Sequence, residues 1–145
     1  MNTTTDQSHV EDITSGSPAY QAFWILRFGF TVAPILAGLD KFFHLMVNWD
    51  QYLPDVVARV SPIQPHGLML LVGVIEIVAG IGVALKPRIF AYIVAAWLAG
   101  IVINLLSDGE WYDVAVRDLG LMGGALVLAR LASVYDPPLR FRRRR

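Results

Sequence analysis

Apolar residues in this chain do not alternate with polar ones but run together in four blocks, at about residues 19–45, 66–85, 88–106 and 114–134. Residues 89–106, IFAYIVAAWLAGIVINLL, contain one strongly polar side chain, Asn104. A helix in a soluble bundle would carry a polar face on every turn. These blocks instead approach the roughly 20 apolar residues that cross a bilayer. The pattern predicts an all-α, integral membrane four-helix bundle. The fourth block is the least apolar: its uninterrupted stretch, Leu119 to Ala129, is flanked by Arg117 and Asp118 on one side and Arg130 on the other. Snorkelling of Arg130 toward the nearer interface makes it tolerable as a span.

Between the first two blocks, Trp49, Tyr52, Leu53, Val56, Val57 and Val60 recur at helical spacing, with Asp50, Gln51, Asp55 and Arg59 on the other faces. This predicts a short amphipathic helix lying in the interface, with Pro54 near its start. Trp111 and Tyr112 mark an aromatic rim in the last loop. Small residues recur in each block: Gly29, Ala33 and Ala37; Gly73 and Gly80; Ala95, Ala96, Ala99 and Gly100; Gly120 and Gly124. Such residues let helix backbones approach closely in lipid.

Composition agrees with a membrane domain: 55% hydrophobic and 17% charged residues, with mean hydropathy +0.51. The chain divides into an acidic, disordered tail over 1–18, a transmembrane domain over 19–134, and an Arg-rich tail over 135–145. The formal net charge is zero, but charge is unevenly placed. With four spans, both termini and the 86–88 turn share one side, which holds Lys86, Arg88, Arg130, Arg140, Arg142, Arg143, Arg144 and Arg145. The positive-inside rule makes that side cytoplasmic, as expected for a multi-pass protein of a prokaryotic cell (inner) membrane. The Arg tail is expected to face anionic lipid rather than nucleic acid. No secretory leader is expected, because no basic region precedes a short apolar core and a cleavage motif.

Candidate chemistry lies in charges placed within the apolar blocks, which must be shielded, paired or used. Counting from the span ends puts Arg27 and Glu76 at similar depth, and a guanidinium can fork onto a carboxylate. The pair is expected to meet, either as a structural lock or lining a pocket for a quinone-type headgroup. Arg27, Thr31, Pro34, Gly38 and Lys41 follow one helical stripe toward a second polar layer of Asp40, Lys41, His44, Asn104, Arg117 and Asp118. There Lys41 and Asp118 are expected to pair, and Asn104 to hydrogen-bond across helices. Asp40 and His44 stand one turn apart, with His66 a further candidate ligand. Such pairs are common by chance, and no HExxH pattern accompanies them. The sequence therefore supports no metal centre. The chain has no cysteine, which removes disulfides and thiolate chemistry. No phosphate loop, nucleophile elbow or self-contained catalytic constellation is present, so an enzymatic role is not indicated.

The segments ILRFGFTVAPILAGLDKFFH and VGVIEIVAGIGVAL, and more loosely RDLGLMGGALVLA, resemble the DoxX-like family of small four-span bacterial and archaeal membrane proteins, over about residues 22–134. The resemblance implies a four-helix bundle with cytoplasmic termini and places the family's polar positions on Arg27, Lys41 and Glu76. It also implies a link to membrane redox systems. Related quinone-reducing enzymes use cysteines that this chain lacks, so thiol chemistry does not carry over. The expected role is an accessory or structural subunit of a larger membrane redox or energy-transducing complex. Partners would be other membrane subunits or further copies of the chain, and no cofactor is expected beyond a bound quinone or lipid. The alternatives are a quinone-linked oxidoreductase subunit and a small transporter.

Overall fold

A computed structural model of the chain describes residues 16–53 and 55–136. The described part is all-helical, with helices α1 (Pro18–Phe43), α2 (Asp55–Val60), α3 (Pro65–Leu85), α4 (Pro87–Asp108) and α5 (Tyr112–Tyr135). A short 3₁₀ turn, Trp49–Tyr52, precedes α2. The tail over residues 1–15 and the arginines at 140 and 142–145 lie outside the described residues.

Helix boundaries follow local chemistry. Ser17 caps α1 by accepting from the Tyr20 amide at 3.2 Å, and Pro18 opens the helix. Pro65 and Pro87 open α3 and α4 in the same position, where a missing amide proton costs nothing. Pro87 disfavours helical backbone at Lys86, so α3 ends there and α4 starts at once. Gly109, with φ of 77°, closes α4 in the left-handed conformation. Helix α1 runs without interruption through Pro34. Among the described residues of the 46–64 connection, the helical ones form two short pieces, the 3₁₀ turn and the six residues of α2.

The helices pack chiefly as two pairs, α1 with α3 and α4 with α5. Smaller contacts join α3 to α4 and α1 to α5, so the sequence returns on itself. In the α1–α3 pair the backbones nearly touch. A methyl placed on Gly38 would lie 2.5 Å from the Gly73 carbonyl oxygen, and one on Gly80 would lie 2.7 Å from the Thr31 carbonyl. Only glycine permits that approach.

Near the ends that carry the termini, the core is apolar and rich in small side chains: Phe23, Val83, Ala91, Val94, Ala95, Ala125, Leu128, Ala129 and Ala132. Large apolar side chains also cover the outside, on α1 (Ile25, Phe28), α3 (Val74, Val78), α4 (Ile93, Ile103) and α5 (Val116, Val127). Helices α1, α3 and α4 are long and apolar enough to cross a membrane; α5, with its charged first turns, falls short by composition.

Candidate functional site: a charged centre beneath the α1–α3 connection

Lys41 lies in the last turn of α1 and is almost fully buried. Its ammonium donates to Glu76 Oε2 on α3 at 2.6 Å, with side-chain exposures of 3% and 14%. The same nitrogen sits 3.8 Å from the centre of the Trp49 ring, a cation–π contact, and 3.5 Å from the Ala37 carbonyl. The adjacent Asp40, also buried, accepts from the Leu45 and Met46 amides at 2.9 and 3.0 Å and from the Trp49 indole at 2.7 Å. Asp40 thereby anchors the chain just after α1, where the helix has closed on His44 in the left-handed region (φ 52°). Trp49 bridges the two charges: its N–H serves Asp40 while its face covers Lys41.

Asp118 on α5 completes the centre. It is buried, within Coulomb range of Glu76, and accepts from the Arg117 Nε at 3.1 Å. Arg117 itself reaches outward, with a side-chain exposure of 63%. Three carboxylates, Asp40, Glu76 and Asp118, and one ammonium, Lys41, are therefore gathered toward the loop ends of α1, α3 and α5.

This arrangement corrects two pairings expected from the sequence. Glu76 pairs with Lys41, not Arg27, and Lys41 does not pair with Asp118. The reason is register and side-chain direction. Thr31 faces Gly80 and Gly38 faces Gly73, so Glu76 lies level with Pro34 and Ile35. That is about 12 Å along the axis from Arg27, at ~1.5 Å per residue. Side chains lean toward the N-terminus of their own helix, and α1 and α3 run antiparallel. Lys41 and Glu76 therefore lean toward each other, whereas Arg27 and Glu76 lean apart.

Arg27 has a different task. Its Nη2 donates to the Ala84 carbonyl at 2.6 Å, and its guanidinium lies 4.9 Å from the Trp24 ring and 5.7 Å from that of Phe23. Ala84 is in the last turn of α3, where carbonyls have no partner within the helix. A cation there also complements the negative end of the helix dipole. Trp24, Arg27, Phe28, Thr31 and Ala84 line an open groove of about 240 Å³. Glu76 does not reach it, so a headgroup pocket shared by Arg27 and Glu76 is not formed.

The other expected polar residues separate. Asn104 is half-buried on α4, with no hydrogen-bond partner among the described residues. His44 is exposed, and its ring stacks on that of His66 at 5.3 Å. The carboxylate beside these rings is Asp50, whose Oδ2 is 3.2 Å from His66 Nδ1, and not Asp40, whose oxygens are already taken. Sequence reasoning missed Trp49 and Asp50 as site residues. The available signal was the density of Asn48, Trp49 and Asp50 just beyond a helix that ends in two buried charges.

Not every small residue faces a neighbour. Cβ atoms on Gly29, Gly100, Gly120 and Gly123 would meet nothing within 4 Å, so these glycines look outward. No family model, curated protein or solved structure matches the chain.

Proposed function

We propose that the protein is a small four-span membrane protein, DoxX-like in character, that serves as an accessory subunit of a larger membrane redox or energy-transducing complex. In this reading α5 crosses the bilayer with the others. Its outer face carries Leu119, Leu121, Leu126 and Val127, its Asp118 is buried within Coulomb range of Glu76, and Arg130 snorkels. The connection over 46–64 then lies at the outer interface. The basic residues Lys86, Arg88 and Arg130 mark the cytoplasmic side of a prokaryotic cell membrane.

The observation that carries the accessory role is the set of outward-facing glycines. A lipid-facing helix gains nothing from glycine, whereas a partner helix gains close approach. Ala96 and Gly100 stand four residues apart and exposed on α4, and Gly120 and Gly123 are exposed on α5. Purification of the intact chain in mild detergent should recover stoichiometric partner subunits. Gly100→Ile with Gly120→Ile should release them while leaving helix content unchanged, because both Cβ positions are open. A monomer, or an assembly of this chain alone, would overturn the accessory role.

A second reading is favoured by the groove at Arg27. Its cation, the Trp24 and Phe28 rings and an open side suit a quinone or lipid headgroup. Labelling by a photoreactive quinone should fall in Arg27→Gln; labelling unchanged in that variant would remove this reading.

A further inference from the structure

We propose that His44, Asp50 and His66 form a binding site for one zinc-class divalent transition-metal ion, placed where the α1–α3 connection closes over the charged centre. The residues come from three separate places: the left-handed residue ending α1, the 3₁₀ turn, and the first turn of α3. One ligand atom from each lies within 4.8 Å of the other two. His66 Nδ1 already stands 3.2 Å from Asp50 Oδ2, and the two imidazole rings stack with an interplanar angle of 27°.

A second observation points the same way. Asp50 Oδ1 is shielded from solvent and has no hydrogen-bond partner among the described residues. Leaving a carboxylate oxygen desolvated and unpaired is costly, and a cation is the partner that best satisfies it.

The donor set selects the ion. Two imidazoles and one carboxylate suit zinc, copper or another late first-row metal. Calcium and magnesium require shells of oxygen ligands, which this site does not offer. Metal–donor bonds of about 2.0–2.2 Å bring ligand atoms to roughly 3.3 Å from one another in a tetrahedral site. Small rotations of two exposed histidine side chains close the remaining distance.

The backbones that carry the ligands are held already. His44 donates to the Asp40 carbonyl at 2.7 Å, and the Asp50 amide donates to the Asn48 side chain at 3.2 Å. Three protein ligands leave a coordination position for water. The bound ion would staple the start of the connection to its end.

The test uses the full, untagged chain in detergent, stripped with a chelator and titrated with Zn(II) against a chromophoric competitor. One ion per chain is expected, and binding should weaken at least about tenfold in His44→Ala and in His66→Ala. His9→Ala, which removes the third histidine of the chain, should bind as the parent does. Cu(II) loaded in place of zinc should show two nitrogen couplings by electron paramagnetic resonance, reduced to one in His66→Ala. Asp50→Asn provides a variant that keeps both rings, and helix content measured on every variant separates ligand loss from misfolding. Absence of binding at micromolar zinc, survival of binding in the His44→Ala/His66→Ala double variant, or equal affinity for calcium would each overturn the site.

Discussion

The two ends of the molecule are built on different physics. Toward the termini, the interior is Phe23, Val83, Leu128 and a set of alanines, with no ion pair among its buried members. Toward the loops, it holds Asp40, Lys41, Glu76 and Asp118, roofed by Trp49. Apolar contacts among alanines are non-directional and nearly as good after a small shift along the axis. A buried ion pair is not: one turn of slip would separate Lys41 from Glu76 by about 5.4 Å. The apolar end supplies close packing, and the ion pair adds to the glycine contacts Gly38–Gly73 and Gly80–Thr31 in fixing register between α1 and α3.

The largest expected effect comes from breaking one charge. Glu76→Leu leaves Lys41 buried without its partner and should cost about 3–5 kcal/mol in reversible unfolding in mixed micelles. The double variant Lys41→Met/Glu76→Leu should regain most of that loss. A double variant as unstable as the single would break the comparison.

At the opposite end, Leu128→Ala should cost about 2–3 kcal/mol through lost packing. Combined with Glu76→Leu it should be additive, because the two sites share no partner. Trp49→Phe keeps a ring over Lys41 but removes the hydrogen bond to Asp40, for about 1.5 kcal/mol. Smallest of all, Gly100→Ala should cost nothing and gain up to about 1 kcal/mol from helix propensity, its new methyl meeting nothing inside the protein. A loss in the isolated chain would mean that the α4 surface is already covered by another copy.

Much of the helix plan was legible in the sequence. The apolar blocks end where Pro65, Pro87 and Gly109 punctuate them, and the stripe Arg27–Thr31–Gly38–Lys41 does face α3. Pairings within the centre were not legible. Residue counting from span ends locates Cα atoms but omits the lean of long side chains, and it misses that Arg27 lies level with the final turn of α3. Periodicity also fails on helices that are apolar all round. Gly80 and Gly100 read alike in the sequence, yet one touches a backbone and the other faces outward. Asp50 joined the histidines through a turn whose path no local pattern foretold.

Asp40 and Lys41 are joined by a single peptide bond, yet one secures the chain that leaves the helix and the other grips a neighbouring helix. The same indole leans on both. Lifting Trp49 would therefore release the strap and wet the ammonium in one movement, so that the fastening of a surface loop and the dryness of an interior charge are governed by one side chain.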